Sequence, residues 1–293
     1  MKIIIAGANG MLAQDIIKIL HSYPEFNVYP HNEFELDITS VESIHNALKR
    51  IEPDVLINCA AYTQVDVAEN DEKKAFLINE TGVEYLAKEC SEFHCKLIHF
   101  STDFVFDGTA STPYKENDIA GPLSVYGKSK LAGEIKIQQF ANSYLIIRTS
   151  WLYGVNGNNF VKTMLRLARD RDLLKVVHDQ TGCPTWSADL AEATLELIKV
   201  DATGIVHFSN SGPCTWYDLA RNTIDMAYES SIISRVTTIH AIPSKEYPTP
   251  ARRPAYSVLD CSQYKQLTGK NPPFWKDSLK QMLLEFKSHS KVF

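Results

Sequence analysis

The chain has 293 residues, with 30 Lys or Arg against 35 Asp or Glu, so its formal net charge is −5. A content of 44% hydrophobic and 22% charged residues is typical of a globular protein and excludes intrinsic disorder and collagen-like repeats. The absence of a basic excess excludes a role that depends on neutralising the phosphates of a nucleic acid. We expect one large domain, or one and a half, because single hydrophobic cores stop growing at roughly 250 to 300 residues.

Cysteine spacing and the start of the chain predict the compartment. The six cysteines include no Cys-x-x-Cys pair, which predicts free thiols in a reducing environment. Asn9, Gln14 and Asp15 interrupt the apolar start of the chain, so it fits neither a signal peptide nor a membrane span. We therefore expect a cytoplasmic protein with no membrane partner.

Short β-branched runs alternate with segments of helical periodicity. The predicted strands are 2–6, 26–29, 54–60, 96–101, 144–149, 174–178 and 204–209. The predicted helices are 10–21, 40–51, 73–92, 124–140, 159–171 and 187–200. Such alternation is typical of right-handed βαβ units, so the sequence predicts an α/β fold with a Rossmann-type, doubly wound parallel sheet.

The pattern changes after about residue 150. Residues 243–254 hold four of the thirteen prolines and cannot form regular structure. We expect a dinucleotide-binding domain over residues 1–150, to which the chain returns around 174–210. A smaller α/β substrate lobe is expected mainly over residues 151–293.

A glycine turn follows the first predicted strand. It reads Gly7-Ala8-Asn9-Gly10-Met11-Leu12-Ala13 and precedes an amphipathic helix. Glycine allows a close backbone approach, and the helix N-terminus offers N–H groups to a pyrophosphate, so the turn favours dinucleotide binding over a purely steric role. Residues 28–32 (VYPHN) carry no acid to bind a ribose 2′-hydroxyl, so NADPH or NADH is expected, with NADPH favoured.

The sharper signal is Tyr126-Gly127-Lys128-Ser129-Lys130, preceded by Thr102 at the end of the fourth predicted strand. Tyr126 and Lys130 are four residues apart and so share one face of a helix. A tyrosine with an ordinary pKa of about 10 can protonate a developing alkoxide if nearby positive charge favours its anion. Lys130 and an oxidised nicotinamide supply that charge, and the Thr102 hydroxyl can hold the carbonyl oxygen. The pattern favours hydride reduction of a ketone.

With these motifs the chain resembles the extended short-chain dehydrogenase/reductase family over nearly its whole length. The resemblance rests on the glycine turn, 58–69 (NCAAYTQVDVAE), 101–108 (STDFVFDG), 126–130 (YGKSK), 148–154 (RTSWLYG), 179–185 (DQTGCPT) and 253–254 (RP). The later segments indicate a branch of the family whose members act on a dTDP-sugar. The resemblance implies NAD(P)H-dependent reduction of the C4 keto group of dTDP-4-dehydro-L-rhamnose to dTDP-L-rhamnose, a precursor of cell-surface polysaccharide.

The resemblance also implies the site residues. It gives catalytic roles to Thr102, Tyr126 and Lys130, with Tyr126 as the proton donor. The implied cofactor contacts are Gly7, Asn9, Gly10, Met11, Leu12, Asp37, Ile38, Ala60, Ala61, Tyr62, Thr63, Tyr126 and Lys130, with Asn79 on the same side. The implied substrate contacts are Val65, Thr102, Asp103 and Trp151. Some family members form a homodimer that binds Mg²⁺, but no ligand cluster can be placed here, so no metal ligand is predicted.

Several of these residues have a plainer interpretation. Arg253 suits a diphosphate by its bidentate geometry, but it could also be a solvated loop charge. Trp151 could be a core aromatic residue, and His99, inside an apolar strand, is interpreted as a core histidine. Asp66 and Glu69 are interpreted as surface side chains at a helix start.

Two other functions stay open on the sequence. A sugar-nucleotide epimerase of the same family would keep NAD bound through its cycle. A non-catalytic, NADP-binding regulatory subunit would bind a partner enzyme without turnover. The joint presence of Thr102, Tyr126 and Lys130 weighs against the second alternative, because an inactive subunit has no use for that arrangement.

Overall fold

The structure is a computed structural model that describes residues 1–289. The strands are β1 (Lys2–Ala6), β2 (Asn27–His31), β3 (Val55–Asn58), β4 (Lys96–Thr102), β5 (Tyr144–Thr149), β6 (Leu152–Tyr153), β7 (Leu173–Val177), β8 (Thr181–Gly182), β9 (Thr185–Trp186), β10 (Gly204–His207), β11 (Cys214–Thr215) and β12 (Thr238–Ile242). The helices are α1 (Met11–Leu20), α2 (Val41–Ile51), α3 (Val65–Ala68), α4 (Glu72–Phe76), α5 (Gly82–Glu92), α6 (Val125–Phe140), α7 (Phe160–Asp170), α8 (Ser187–Lys199), α9 (Trp216–Glu229), α10 (Ser262–Thr268) and α11 (Trp275–His289). A π-helical turn covers Leu77–Thr81, and 3₁₀ turns cover Asp103–Val105 and Ser244–Glu246.

A six-stranded sheet organises the first part of the chain. Its order is β10-β5-β4-β3-β1-β2, and every pairing is parallel. All four residues of β3 are buried, as expected for a strand covered on both faces. This topology confirms the expected α/β fold with a doubly wound parallel sheet.

Helices cover both faces of the sheet, and the alternation of β1 side chains separates the two layers. Ile3 and Ile5 pack in one apolar cluster with residues of α1 and α8. Ile4 packs in the other cluster, with residues of α2, α5 and α6. The period of two along a strand thus sends consecutive isoleucines to opposite faces, and both faces are buried.

The other six strands lie outside the central sheet, in the part of the molecule called the second lobe. Its two-stranded sheets pair β11 with β8, β12 with β7, and β6 with β9. An apolar cluster that includes Tyr153, Trp275 and Leu279 fills this lobe. Of the segment 174–210 that was expected to return to the first domain, β10 joins the central sheet and α8 packs against it. Strand β7 instead pairs with β12 outside the central sheet.

Gly7 allows the loop after β1 to approach the segment that follows β3. Its φ is +76°, a left-handed conformation that favours glycine. An added Cβ would lie 2.7 Å from the backbone N of Ala60 and 2.9 Å from its Cα. Because these neighbours are backbone atoms, the two segments can approach this closely only if residue 7 has no side chain.

We expect Gly7→Ala to lower the free energy of unfolding more than Gly204→Ala. Gly204 is the matched control, because its φ is +82° but no heavy atom lies within 4 Å of its added Cβ. Both alanines incur the left-handed backbone cost of about 1–2 kcal/mol. Only the alanine at position 7 also displaces backbone, at a further cost of about 1–3 kcal/mol. Urea unfolding measures both variants, and an equal loss of stability would contradict the close-approach role.

Candidate active site

The carboxyl ends of the central strands define one edge of the sheet. There Ala6 of β1 and Asn58 of β3 are register partners, and β4 ends nearby at Thr102. Strand β2 lies on the other side of β1, so the strand order reverses between β1 and β3. Open α/β sheets bind ligands at such a reversal. The glycine turn, the segment after β3 and Thr102 therefore belong to one crevice.

The start of α1 suits a pyrophosphate. Helix α1 begins at Met11, and its N-cap is Gly10, which has no side chain to cap the first turn. The Gly10 N–H donates to the carbonyl of Gly7 at 2.9 Å, which closes the turn. The first N–H groups of a helix have no acceptor within the helix, and Asn9 and Gly10 are exposed. Backbone amides near Met11 and Leu12 are thus available to an anion.

Two of the implied cofactor contacts, Asp37 and Ile38, lie in the turn after β2. The Asp37 carboxylate accepts hydrogen bonds from the backbone N–H and the hydroxyl of Thr39, at 2.8 and 2.7 Å. Ile38 is buried, and an added Cβ on Gly82 would lie 3.1 Å from its Cγ1. Asp37 therefore orders its own turn, while Ile38 packs against the start of α5.

Asn79 holds the segment after β3 in place. This buried side chain lies in the π-helical turn and accepts the Tyr62 N–H at 2.9 Å. Its amide donates to the Tyr62 carbonyl and to the Ser129 hydroxyl of α6, each at 3.0 Å. Ala61 beside it is half-buried and Thr63 is exposed. The contact of Asn79 is thus with the backbone that forms the crevice wall, a role that the sequence did not indicate.

Tyr126 and Thr102 are brought into contact. Helix α6 begins after Ser124, whose hydroxyl accepts the Gly127 N–H at 3.1 Å and orders the first turn around Tyr126. The Tyr126 ring meets the Phe104 ring edge-on, with centroids 5.7 Å apart. Burial raises the pKa of the Tyr126 phenol to about 12, although a hydrogen bond with the Thr102 hydroxyl acts in the opposite direction. The phenol is therefore protonated at neutral pH.

Asp103 follows Thr102 and is buried. Its Oδ1 accepts the Thr102 hydroxyl at 3.0 Å, while the buried Oδ2 has no hydrogen-bond partner. Burial raises the pKa of the Asp103 carboxyl to about 6, and the nearby hydroxyls of Ser257 and Thr102 limit the rise. Ser257, for which the sequence indicated no role, thus brings a C-terminal segment to the edge of the central sheet.

Lys130 is buried and bound to β4. Its Nζ donates to the carbonyl of Phe100 at 2.7 Å and lies 3.0 Å from Nε2 of His99. Burial lowers the pKa of the Lys130 amine to about 8, while Glu134 one turn along α6 raises it. We expected the Lys130 charge to favour the Tyr126 anion. Burial of the phenol, however, is the largest cause of the Tyr126 pKa shift, and it favours the protonated form.

Arg253 reaches Asp66 across the chain. Its Nη1 and Nη2 lie 3.0 and 2.7 Å from the two carboxylate oxygens of Asp66, and this contact lowers the pKa of the Asp66 carboxyl. Glu69, on the same short stretch, accepts the Val125 N–H at the start of α6 at 2.8 Å. Both carboxylates therefore join distant segments, beyond the surface role that their pattern predicted.

Trp151 is held within the second lobe. Its φ is +48°, and its ring stacks on Trp216 with centroids 3.6 Å apart and an interplanar angle of 7°. An added Cβ on Gly182 would lie 2.6 Å from Cε2 of Trp151, so that glycine makes room for the ring. Trp151 is half-buried, as is Val65 at the start of α3.

Across residues 1–289, no group of three or more His, Cys, Asp or Glu side chains is arranged to hold a metal ion. Within the same residues, no helix is both long enough and apolar enough to cross a lipid bilayer.

Known proteins resemble this chain over nearly its whole length. The dTDP-4-dehydrorhamnose reductase of Aggregatibacter actinomycetemcomitans is 42% identical over 287 residues, which cover 96% of this chain and 98% of that protein. A crystal structure named as the Clostridium acetobutylicum dTDP-4-dehydrorhamnose reductase superposes with a TM-score of 0.92 at 40% identity, covering 98% of this chain and 100% of that one. The structure of the Bacillus anthracis dTDP-4-dehydrorhamnose reductase in complex with NADP superposes with a TM-score of 0.91 at 36% identity, covering 97% of this chain and 99% of that one.

The family assignment rests on a match that spans almost every residue. The sequence model of the RmlD substrate binding domain matches residues 1–288. The chain therefore belongs to the RmlD substrate binding domain family.

Proposed function

We propose that this chain is an NAD(P)H-dependent oxidoreductase that reduces the C4 keto group of dTDP-4-dehydro-L-rhamnose to dTDP-L-rhamnose. Near-full-length relatives with the corresponding name support this substrate. The observation that carries the proposal is the position of the Tyr126 phenol, on the first turn of α6 and next to the Thr102 hydroxyl, at the crevice that holds the glycine turn.

The residues of the crevice would donate the proton and stabilise the charge that develops during the reaction. A bound nicotinamide cofactor supplies the hydride. The Tyr126 phenol donates its proton to the C4 oxygen of the sugar, and the Thr102 hydroxyl orients that oxygen and stabilises the charge that develops on it. A phenol that burial keeps protonated is in the state that a proton donor requires.

The cofactor fits the start of α1. Amides near Met11 and Leu12 would hold the pyrophosphate, and Ala60 to Thr63 would line the dinucleotide after β3. Strand β2 ends at His31 and is followed by Asn32, so neither residue at that strand end is an acid that would bind the ribose 2′-hydroxyl. The nearby Glu35 carboxylate accepts the Asn32 N–H at 2.9 Å. We therefore expect NADPH to be preferred to NADH.

The substrate would contact residues from both lobes. Asp103 and Val65 would meet the sugar from the sheet edge, and the fixed Trp151 ring would form a wall from the second lobe. Arg253 would bind the diphosphate in place of part of its contact with Asp66. The homodimer that the resemblance implies stays a prediction, which light scattering can test.

The purified protein should consume NADPH, followed at 340 nm, when the dTDP-4-dehydro-L-rhamnose substrate is added. The same assay with NADH should give a lower kcat/KM, because β2 ends without the acid that selects NADH. No turnover with either cofactor would exclude the reductase. NAD that copurifies and is not consumed would instead favour an epimerase, and binding of a partner without turnover would favour a regulatory subunit.

Tyr126→Phe should lower kcat by roughly 10²-fold or more, because the proton donor is lost while the ring remains. Cofactor affinity, measured by fluorescence titration, should stay within a few-fold of the parent. Tyr144→Phe, at the start of β5, is the matched control and should retain the parent's activity. A Tyr126→Phe enzyme of nearly parental kcat would contradict the proposed proton donor.

Arg253→Lys should raise KM for the nucleotide sugar about tenfold with little change in kcat, because a lysine cannot reproduce a bidentate contact with a diphosphate. The neighbouring Arg252 is exposed, so Arg252→Lys is the matched control and should leave KM unchanged. Equal KM values for the two variants would remove Arg253 from the substrate site.

A further inference from the structure

A row of buried polar groups runs from β3 through β4 to α6. Asn58 and His99 are register partners on adjacent parallel strands, and Lys130 reaches the ring from α6. The three residues are 1%, 1% and 2% exposed. Asn58 Nδ2 lies 3.1 Å from His99 Nδ1, and His99 Nε2 lies 3.0 Å from Lys130 Nζ. These polar atoms are shielded from solvent, so their hydrogen-bond partners must lie within the protein.

The backbone fixes the orientation of the Asn58 amide. The Ala60 N–H can only donate, and it lies 3.0 Å from Oδ1 of Asn58. The amide Nδ2 therefore faces His99 and donates to Nδ1 of the ring. A neutral imidazole with an acceptor at Nδ1 carries its proton on Nε2. The His99 ring is neutral, because its burial holds the pKa of this histidine well below its ordinary value, and any charge on Lys130 acts in the same direction.

The Nε2–H of His99 then faces Lys130. An ammonium group has three donors and no acceptor, whereas an amine has a lone pair that can accept the Nε2–H. The row contains three contacts and needs three acceptors. Asn58 Oδ1 and His99 Nδ1 supply two of them, and only the amine form of Lys130 supplies the third. Charging Lys130 leaves two donors opposed in a buried place, which is costly.

We propose that Asn58 selects the Nε2–H tautomer of His99, and that this tautomer favours the amine form of Lys130. His99 and Asn58 are then positioning residues that set the proton affinity of the lysine. The tautomer is a property of the free protein, and only its importance for turnover rests on the proposed reductase function.

The other groups around Lys130 also bear on its pKa. Glu134 on α6 raises the pKa of Lys130, but its own charge is balanced by Arg148 of β5, with Nη2 of the arginine 2.6 Å from Oε2. On the β5 side, the register partner of His99 is the apolar Ile146. Tyr126 lies one turn earlier on α6 and is protonated. His99 is thus the group in direct contact that opposes the lysine charge.

The consequence concerns proton exchange during turnover. An ordinary lysine, with a pKa of about 10.4, stays charged at neutral pH. Burial lowers the pKa of Lys130 to about 8, so both of its forms are populated near neutral pH. The Nε2–H tautomer of His99 lowers the pKa of Lys130, as burial does. Lys130 can therefore give up or take a proton in the working pH range.

The first test uses the unaltered protein. With ¹⁵N-labelled histidine, long-range ¹H–¹⁵N NMR correlation shows which ring nitrogen of each histidine carries the proton. The His99 signals are assigned by their loss in His99→Gln. We expect the unprotonated shift for Nδ1 and the protonated shift for Nε2. A protonated Nδ1 in the free protein would overturn the proposal.

Asn58→Asp provides the matched change, since it is nearly isosteric and replaces the donor Nδ2 with an acceptor. The carboxylate should accept both the Ala60 N–H and a proton on His99 Nδ1, which inverts the tautomer and lets Nε2 accept from a charged Lys130. The titration midpoint of Lys130, followed by its ¹³Cε signal and assigned with Lys130→Arg, should rise by roughly one pH unit.

The two readouts separate the possible causes. A higher Lys130 midpoint in Asn58→Asp with an unchanged tautomer would mean that the added charge acts alone, and would refute the tautomer selection. Both measurements are made without cofactor or substrate. An absence of keto-sugar turnover would therefore contradict the proposed function and leave the tautomer result standing, while a wrong tautomer would leave the proposed function intact.

Discussion

The close approach of two loops at the reversal of strand order is the constraint on which the site depends. Strand β1 has β2 on one side and β3 on the other, so the loops that leave β1 and β3 diverge and open a crevice. At its base, Gly7 packs directly against the backbone of Ala60. That contact aligns the start of α1 with the segment after β3, and Asn79 ties the same segment to α6. The glycine turn and helix α6 are thus positioned by one packed corner.

Burial sets the protonation states within this corner. The same loss of solvent raises the pKa of Tyr126 and of Asp103 and lowers the pKa of Lys130, because each group disfavours its charged form away from water. Hydrogen bonds with Thr102 partly oppose the shifts of Tyr126 and Asp103. The corner therefore holds an uncharged phenol beside an amine and a carboxyl whose pKa values lie closer to neutrality than usual.

Local patterns predicted what depends on local order. The strand and helix periods correctly predicted a parallel central sheet, and the four-residue spacing correctly predicted that Tyr126 and Lys130 lie one turn apart on α6. Contacts between distant residues could not be predicted in this way. The Arg253–Asp66 pair spans 187 positions, and the π-helical turn that carries Asn79 interrupts a segment expected to be one regular helix. The departure of β7 from the central sheet likewise depends on its pairing with β12, which no local period specifies.

The Arg253–Asp66 pair also bears on how a chain of net charge −5 can bind a dianionic nucleotide sugar. The pair is partly exposed, with side-chain exposures of 24% and 39%, and exposed ion pairs contribute only about 0–1 kcal/mol. A diphosphate can therefore replace the Asp66 carboxylate on the guanidinium at little cost. In the proposed function, binding would depend on this local cation and on the amides that begin α1, since fields at a site are set by nearby groups more than by net charge. A net charge of −5 is thus compatible with binding of a single nucleotide.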